Sequence, residues 1–416
     1  MCHQTDTEGL QAGARRLGKA DRPDIATIFH AHSETYQSTH SLSVTQQRAI
    51  QAIEACRTAE LGGHVERCDT CERERIRYNS CRNRHCPKCQ AMAKERWLQA
   101  RCDELLPVTY FHLVFTLPHD LNPLAQGNPR QLYNLLFRAV SATLLAFGRN
   151  PKRLNGELGI TLVLHTWGQN LGQHLHLHCI VTGGALTAEG QWKAASNSYL
   201  FPIRALSNVF RAKYLEGLQQ LYDEDALQFA GGTAALAQSS AFKQFLAQLK
   251  RHDWVVFAKA PFEGAEEVLS YVSRYTHRVA ISNDRIMKLE QEKVSFQWKD
   301  YADKNRKKTL VLKADEFIRR FLLHILPSGF MRIRHYGLQG NRCKAKRLAQ
   351  CRKALNQPEP EERPKECVEA FMLRVLEIDI HQCPFCKKGR LHTVQTLLEK
   401  RKAWLNTRPK GPPMTA

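Results

Sequence analysis

The stretch GQHLHLHCIVTGG, residues 172–184, decides how this chain folds. Three histidines, His174, His176 and His178, alternate with Leu175 and Leu177, and the run then turns apolar before ending in two glycines. On a helix, positions two apart do not face each other. On a strand they point the same way, and their neighbours point the other way. Leu, Ile and Val suit a strand, so the stretch predicts three imidazoles on one face and leucines on a core-facing side. Imidazole is the side chain that most often ligates metals, and co-facial histidines can converge on one divalent ion.

Working outward, LGITLVLHTWG (158–168) reads as a second strand. Only QNLGQ separates it from the histidine strand, which predicts a hairpin. TYFHLVFTLP (109–118) reads as a strand closed by its proline, WVVFAK (254–259) as another, and VSFQWKDY with KTLVLK as a further hairpin. Helical periodicity covers 130–148, 203–222, 235–250, the start of 266–280, and 314–326, while ERWLQARCDELL (95–106) reads as a linking helix. SVTQQRAIQAIEAC (43–56) opens with a capping box, Ser43 followed by Gln46. Short-looped strand pairs among helices predict an α+β fold with a central, mainly antiparallel sheet flanked by helices. The expected division is 1–104 as a small N-terminal helical and cysteine-rich domain, 105–340 as the domain of the central sheet, and 341–416 as a basic C-terminal region.

The chain has 416 residues, 61 Lys and Arg against 40 Asp and Glu, and a formal charge of +21. An excess of that size points to a polyanion, most commonly nucleic acid. No apolar run approaches the roughly 20 residues of a membrane span, and the N-terminus lacks a secretory apolar stretch. The expectation is a cytoplasmic, DNA-associated protein with no membrane partner.

Six of the 14 cysteines fall in three close pairs. CDTC (Cys68, Cys71) and CPKC (Cys86, Cys89) are spaced as two knuckles of one tetrahedral structural zinc site. Cys81 and His85, between them, are additional candidate ligands, and Cys383 with Cys386 could form part of a second site. Arg82, Arg84 and Lys88 crowd the knuckles, as expected of a module that binds nucleic acid.

A metal alone does not name a reaction. YVSRYTHRVAISN (271–283) places Tyr271 and Tyr275 four apart, one turn of helix, beside Arg274, His277 and Arg278. Tyrosyl oxygen is a competent covalent nucleophile, and attack on a phosphodiester would call for a metal and for basic groups to hold the strand.

A histidine–apolar–histidine strand followed by a Tyr-x-x-x-Tyr helix resembles the HUH superfamily of single-stranded DNA endonucleases. Within it, the chain resembles the rolling-circle transposases of bacterial insertion sequences, the two-tyrosine type with an N-terminal zinc-binding domain. The likeness is carried, in the family's order, by SCRNRHCPKCQ, YFHLVFTLPHDLN, HLHLHCIVTGGAL, YVSRYTHRVAISN and FLLHILPSGFMRIRHYG. It implies that His176 and His178 hold Mg²⁺ or Mn²⁺, with His174 as the candidate third ligand and Gln173 or a remote carboxylate as the alternatives. It implies that Tyr271 and Tyr275 are the nucleophiles and that the catalytic sheet is of HUH endonuclease type. The partners implied are single-stranded DNA at the element ends and target DNA, nicked and rejoined through 5′-phosphotyrosine links. Arg274, His277, Arg278, Arg332 and Arg334 are candidate DNA contacts. The same chemistry would serve a plasmid replication initiator or a relaxase. The alternative of another class is a non-catalytic zinc-dependent DNA-binding regulator.

Overall fold

The computed structural model describes residues 22–89, 103–196, 199–259, 279–301, 303–359 and 367–399, together with single positions in 94–101 and at 262, 267 and 268. Its centre is a sheet of six strands. β3 (Tyr110–Thr116), β4 (Gly156–Trp167), β5 (Gln173–Thr187), β7 (Val256–Ala258) and β11 (Ile333–Gly337) lie in the order β11-β4-β5-β3-β7, and the short β6 (Trp192–Ala194) also pairs with β5. Every pairing in it is antiparallel. The mixed antiparallel architecture expected from the alternation of strands and helices is the one observed. β5 runs well past the expected 174–181, because Gly183 and Gly184 extend it into a close approach: a Cβ on Gly184 would sit 2.7 Å from the Trp192 ring on β6.

The pleat separates two environments. Leu175, Leu177, Cys179 and Val181 of β5 enter the main core, which also holds Phe137, Val140 and Leu144 of the helix Pro129–Arg149 and Phe210 and Tyr214 of the helix Ile203–Asp223. Leu175 and Leu177 are fully buried, each contributing about 1.5–3 kcal/mol of transfer free energy. The alternate side of β5 carries His174, His176 and His178, away from this helical layer.

A second core joins the N-terminal helices to the chain beyond residue 280. α1 (Ile25–Thr39) and α2 (Val44–Glu54) bury Phe29, Ile50 and Ile53 against Phe317 and Phe321 of the helix Ala314–Leu322 and against Val294 and Phe296 of β9 (Lys293–Asp300). Phe29 meets Phe321 edge-on, with ring centroids 5.4 Å apart. The expected cap on α2 is present: Ser43 Oγ accepts from the Gln46 amide and Gln46 Oε1 accepts from the Ser43 amide. β9 is the middle strand of a sheet with β8 (Ile286–Glu290) and β10 (Arg306–Lys313). A third sheet has the order β12-β1-β2 and joins strands from distant parts of the chain, Gly63–Cys68 and Glu74–Tyr78 with Leu391–Leu397. Among the described residues, no helix is long and apolar enough to cross a membrane.

Candidate metal centre

β5 is hydrogen-bonded on both sides, to β4 and to β3, so its side chains project from a rigid base. In the β4–β5 register His165 stands opposite His176, and in the β3–β5 register Val114 stands opposite His178. The result is a triad. His165, His176 and His178 each offer a ring nitrogen, and the three nitrogens lie within 4.8 Å of one another. His165 is held in place by Trp167, stacked on it at 4.6 Å between centroids.

Neighbouring groups orient the rings. The Nδ1–H of His176 donates to the His174 carbonyl at 2.8 Å, so ligation would run through Nε2. His178 Nδ1 is 2.9 Å from Nε2 of His112 on β3, which likewise points its other nitrogen at the triad. Partners of this kind fix the tautomer and orientation of metal-ligating histidines. Burial, reinforced by His174, pushes the His176 imidazole down to about 3. Burial, with Lys259 and His176 nearby, does the same to His112. Both rings are therefore neutral near pH 7, the form that can ligate.

His174 does not complete the triad. It shares the expected face, but it lies at the open end of β5, where its Nδ1 is 3.3 Å from Nε2 of His119. Co-facial spacing put three histidines in a row, whereas convergence on one ion is met by two of them and a residue on the adjacent strand. His165 was legible in principle: a hairpin closed by the Gly168 amide on the Gly172 carbonyl brings the one histidine of LGITLVLHTWG level with the histidine run.

Among the described residues, eight cysteines form two groups of four, and these are not the expected ones. Cys86 and Cys89 meet Cys81 and Cys56, whereas Cys68 and Cys71 meet Cys383 and Cys386. The reason is the β1–β2 hairpin, which carries Cys68 and Cys71 at its tip to the C-terminal strand β12, while the CPKC loop folds back onto α1 and α2 in the second core. In the first group Cys89 Sγ lies 3.5 Å from Cys56 Sγ and 3.6 Å from Cys81 Sγ. Those spacings are far too long for a disulfide, about 2.05 Å. They approach the edge of about 3.8 Å of a tetrahedron with metal–sulfur bonds of about 2.3 Å. His85 is not a member. Its Nε2 accepts from the Leu326 amide at 3.2 Å, and burial pushes it down to about 3.

Two family models match the chain: residues 159–347 fit one described as "Putative transposase", and residues 28–117 fit one described as "Transposase zinc-binding domain". The "Putative transposase y4qJ" of Sinorhizobium fredii is 48% identical over 378 residues, covering 90% of this chain and 95% of that protein. The "Transposase for insertion sequence element IS801" of Pseudomonas savastanoi pv. phaseolicola is 28% identical over 82% of this chain and 81% of its own length. This chain belongs to the insertion-sequence transposases of the IS91 and IS801 type. Among solved structures, the conjugative relaxase TrwC in complex with oriT DNA gives 18% identity over 40% of this chain and 71% of that one, with a TM-score of 0.23.

The transposase places its triad within the segment matched by the first model and its Cys56 group within the zinc-binding domain. Its expected DNA contacts divide. Arg84 is turned inward, donating to the carbonyls of Phe330 and Pro327, so it bolts its own loop to the segment matched by the first model. Lys88 pairs with Asp24, the cap of α1, at 2.7 Å. Arg334 lies over the Phe137 ring at 4.2 Å and donates to Asn134 Oδ1, and burial beside Arg84 lowers the Arg332 guanidinium to about 10. Arg82 is exposed. Tyr271, Tyr275, Arg274, His277 and Arg278 lie outside the described residues of the transposase.

Proposed function

We propose that this transposase cuts and rejoins single-stranded DNA at insertion-sequence ends by tyrosine-mediated transesterification at the His165–His176–His178 centre. The observation that carries the reading is the triad: three oriented imidazoles within ligand distance of one another on the middle strands of an antiparallel sheet. A bound divalent ion there would polarise the scissile phosphate and steady its developing charge. Imidazole donors without a carboxylate suit a first-row transition ion, Mn²⁺, better than Mg²⁺.

In the proposed reaction the Oη of Tyr271 or Tyr275 attacks the scissile phosphorus. The P–O3′ bond breaks, the tyrosine gives up its proton, and the departing 3′ oxygen gains one. The bond energy is kept in a 5′-phosphotyrosine link, so no nucleotide cofactor is consumed. The second tyrosine takes a second strand, and the stored links are spent in transfer to target DNA. Two flanking positions support this assignment of the nucleophiles. Val268 is buried in a cluster with Ile180, two residues past His178, and Ala280 in a core with Leu171, just before the histidine run. The Cys56–Cys81–Cys86–Cys89 group would hold a structural zinc. The charge of +21 suits a DNA partner and an enzyme working on DNA in the bacterial cytoplasm.

The test is covalent trapping. Labelled single strands carrying element ends are incubated with the protein and Mn²⁺ and resolved under denaturing conditions. The wild type is expected to give a protein–DNA adduct that Y271F/Y275F and EDTA both abolish. An adduct from the double variant, or cleavage without divalent ions, contradicts the reading. DNA binding without any adduct would instead identify a non-catalytic regulator.

A further inference from the structure

We infer that Cys68, Cys71, Cys383 and Cys386 bind a second zinc ion, which staples the last described strand to the N-terminal sheet. The matched zinc-binding domain ends at residue 117 and contains only half of these ligands, so the site is completed from more than 300 residues away.

The four sulfurs lie within 4.8 Å of one another. Cys68 and Cys386 are 3.7 Å apart, as are Cys71 and Cys383. Both spacings match the edge of about 3.8 Å expected of a four-thiolate zinc tetrahedron and exclude a disulfide.

The two loops are built alike, although nothing in local sequence pairs them. In each, the residue after the second cysteine is left-handed: Glu72 at φ 57° and Lys387 at φ 59°. In each, that residue's amide donates to the carbonyl of the first cysteine, at 3.1 Å for Glu72 and 2.9 Å for Lys387. Backbone amides also point at sulfur. Thr70 and Cys71 donate to Cys68 Sγ at 3.4 and 3.5 Å, and Gly389 donates to Cys386 Sγ at 3.3 Å. Such donors favour the thiolate, the form that binds metal. Gly389 passes so close to the centre that a Cβ there would lie 2.4 Å from Cys68 Sγ.

The surrounding packing gives a reason for a metal. The apolar cluster here holds Leu391 besides the cysteines, and most of β12 and β2 is exposed or half-buried. A three-stranded sheet with so little core needs a staple. Four thiolates select zinc over the harder divalent ions.

The test is a metal count on the full chain, purified in reductant and measured without DNA, so it stands apart from the strand-cleavage proposal. C383S/C386S is expected to carry one zinc per chain fewer than the wild type, and C343S, outside both groups, the same number. An unchanged count in C383S/C386S overturns the inference. Should that variant fail to fold, cobalt substitution decides: C386H is expected to shift the tetrahedral cobalt bands of the wild type by replacing one sulfur ligand with nitrogen. Identical spectra from the two proteins overturn the inference.

Discussion

His165 and His176 are cross-strand partners, with ring centroids 5.4 Å apart and planes at 81°. This relationship assigns the third imidazole of the centre to β4 rather than to the histidine run itself. Substituting His165→Ala should therefore lower adduct formation by about 10²-fold or more, and His176→Ala should do the same. His174→Ala should cost less than tenfold, because His174 orients His176 through its backbone carbonyl, which alanine keeps. Rates of adduct formation at fixed Mn²⁺ check the ranking, and equal losses at 165 and 174 would count against the triad.

The donor set also ranks the metals. With three imidazoles and no carboxylate in the triad, Mn²⁺ should support cleavage at concentrations at least tenfold below those needed with Mg²⁺. Titrating each ion into metal-stripped protein measures this, and equal half-saturation by the two would contradict it.

Acid should weaken the fold by a route that begins with buried neutral histidines. Burial pushes His324 down to about 4, and burial with Arg84, Arg332 and His324 nearby pushes His85 to about 3. The unfolded chain binds these protons near pH 6.5. Between that value and the folded ones the unfolded state therefore holds more protons, and stability rises with pH. It should be complete above about 6.5 and drain away as pH falls toward 4 and then 3. His324 Nε2–H donates to the Leu171 carbonyl, and Nδ1 of the neutral ring accepts from the Thr166 hydroxyl. His324→Gln should lower stability at pH 7.5 yet flatten its slope between pH 6.5 and 4, as read from urea unfolding midpoints.

Two arginines two residues apart should behave oppositely. Arg84→Ala strands the Phe330 and Pro327 carbonyls that it serves and should cost about 1–3 kcal/mol of stability. Arg82→Ala, at an exposed position, should leave the melting temperature within a degree or two. It should weaken DNA binding across sequences and reduce the salt slope by about 1. Melting curves and binding at several salt concentrations separate the two.

The core face of the histidine strand offers a plainer check. Leu177→Ala empties a fully buried site between the sheet and its helices and should cost about 2–5 kcal/mol in urea denaturation.

Periodicity carried most of the fold around the histidine strand. The strands at 109–118 and 158–168, the hairpin into the histidine run, the helix at 130–148 and the pair VSFQWKDY and KTLVLK all lie where alternation and spacing put them, within a few residues. The helix expected over 314–326 stops earlier, at Leu322. Partner choice over long distances was not legible. A Cys-x-x-Cys knuckle specifies its own loop but not which other knuckle it meets, and only the β1–β12 pairing brings Cys383 to Cys71. Charge counting could not tell Arg82 from Arg84, because what separates them is whether carbonyls at 327 and 330 lie within reach.

The order of the third sheet, β12-β1-β2, sets a clock on biosynthesis. Two of its strands leave the ribosome within the first 78 residues, while the other is made only after residue 391. Throughout synthesis of the six-stranded sheet the Cys68–Cys71 knuckle waits for both of its partner cysteines, and closure comes only once the chain past residue 391 has been made. A message cut short after the histidine and tyrosine motifs would encode both motifs without the closing strand, so the codons for 391–397 are a condition for a finished N-terminal sheet.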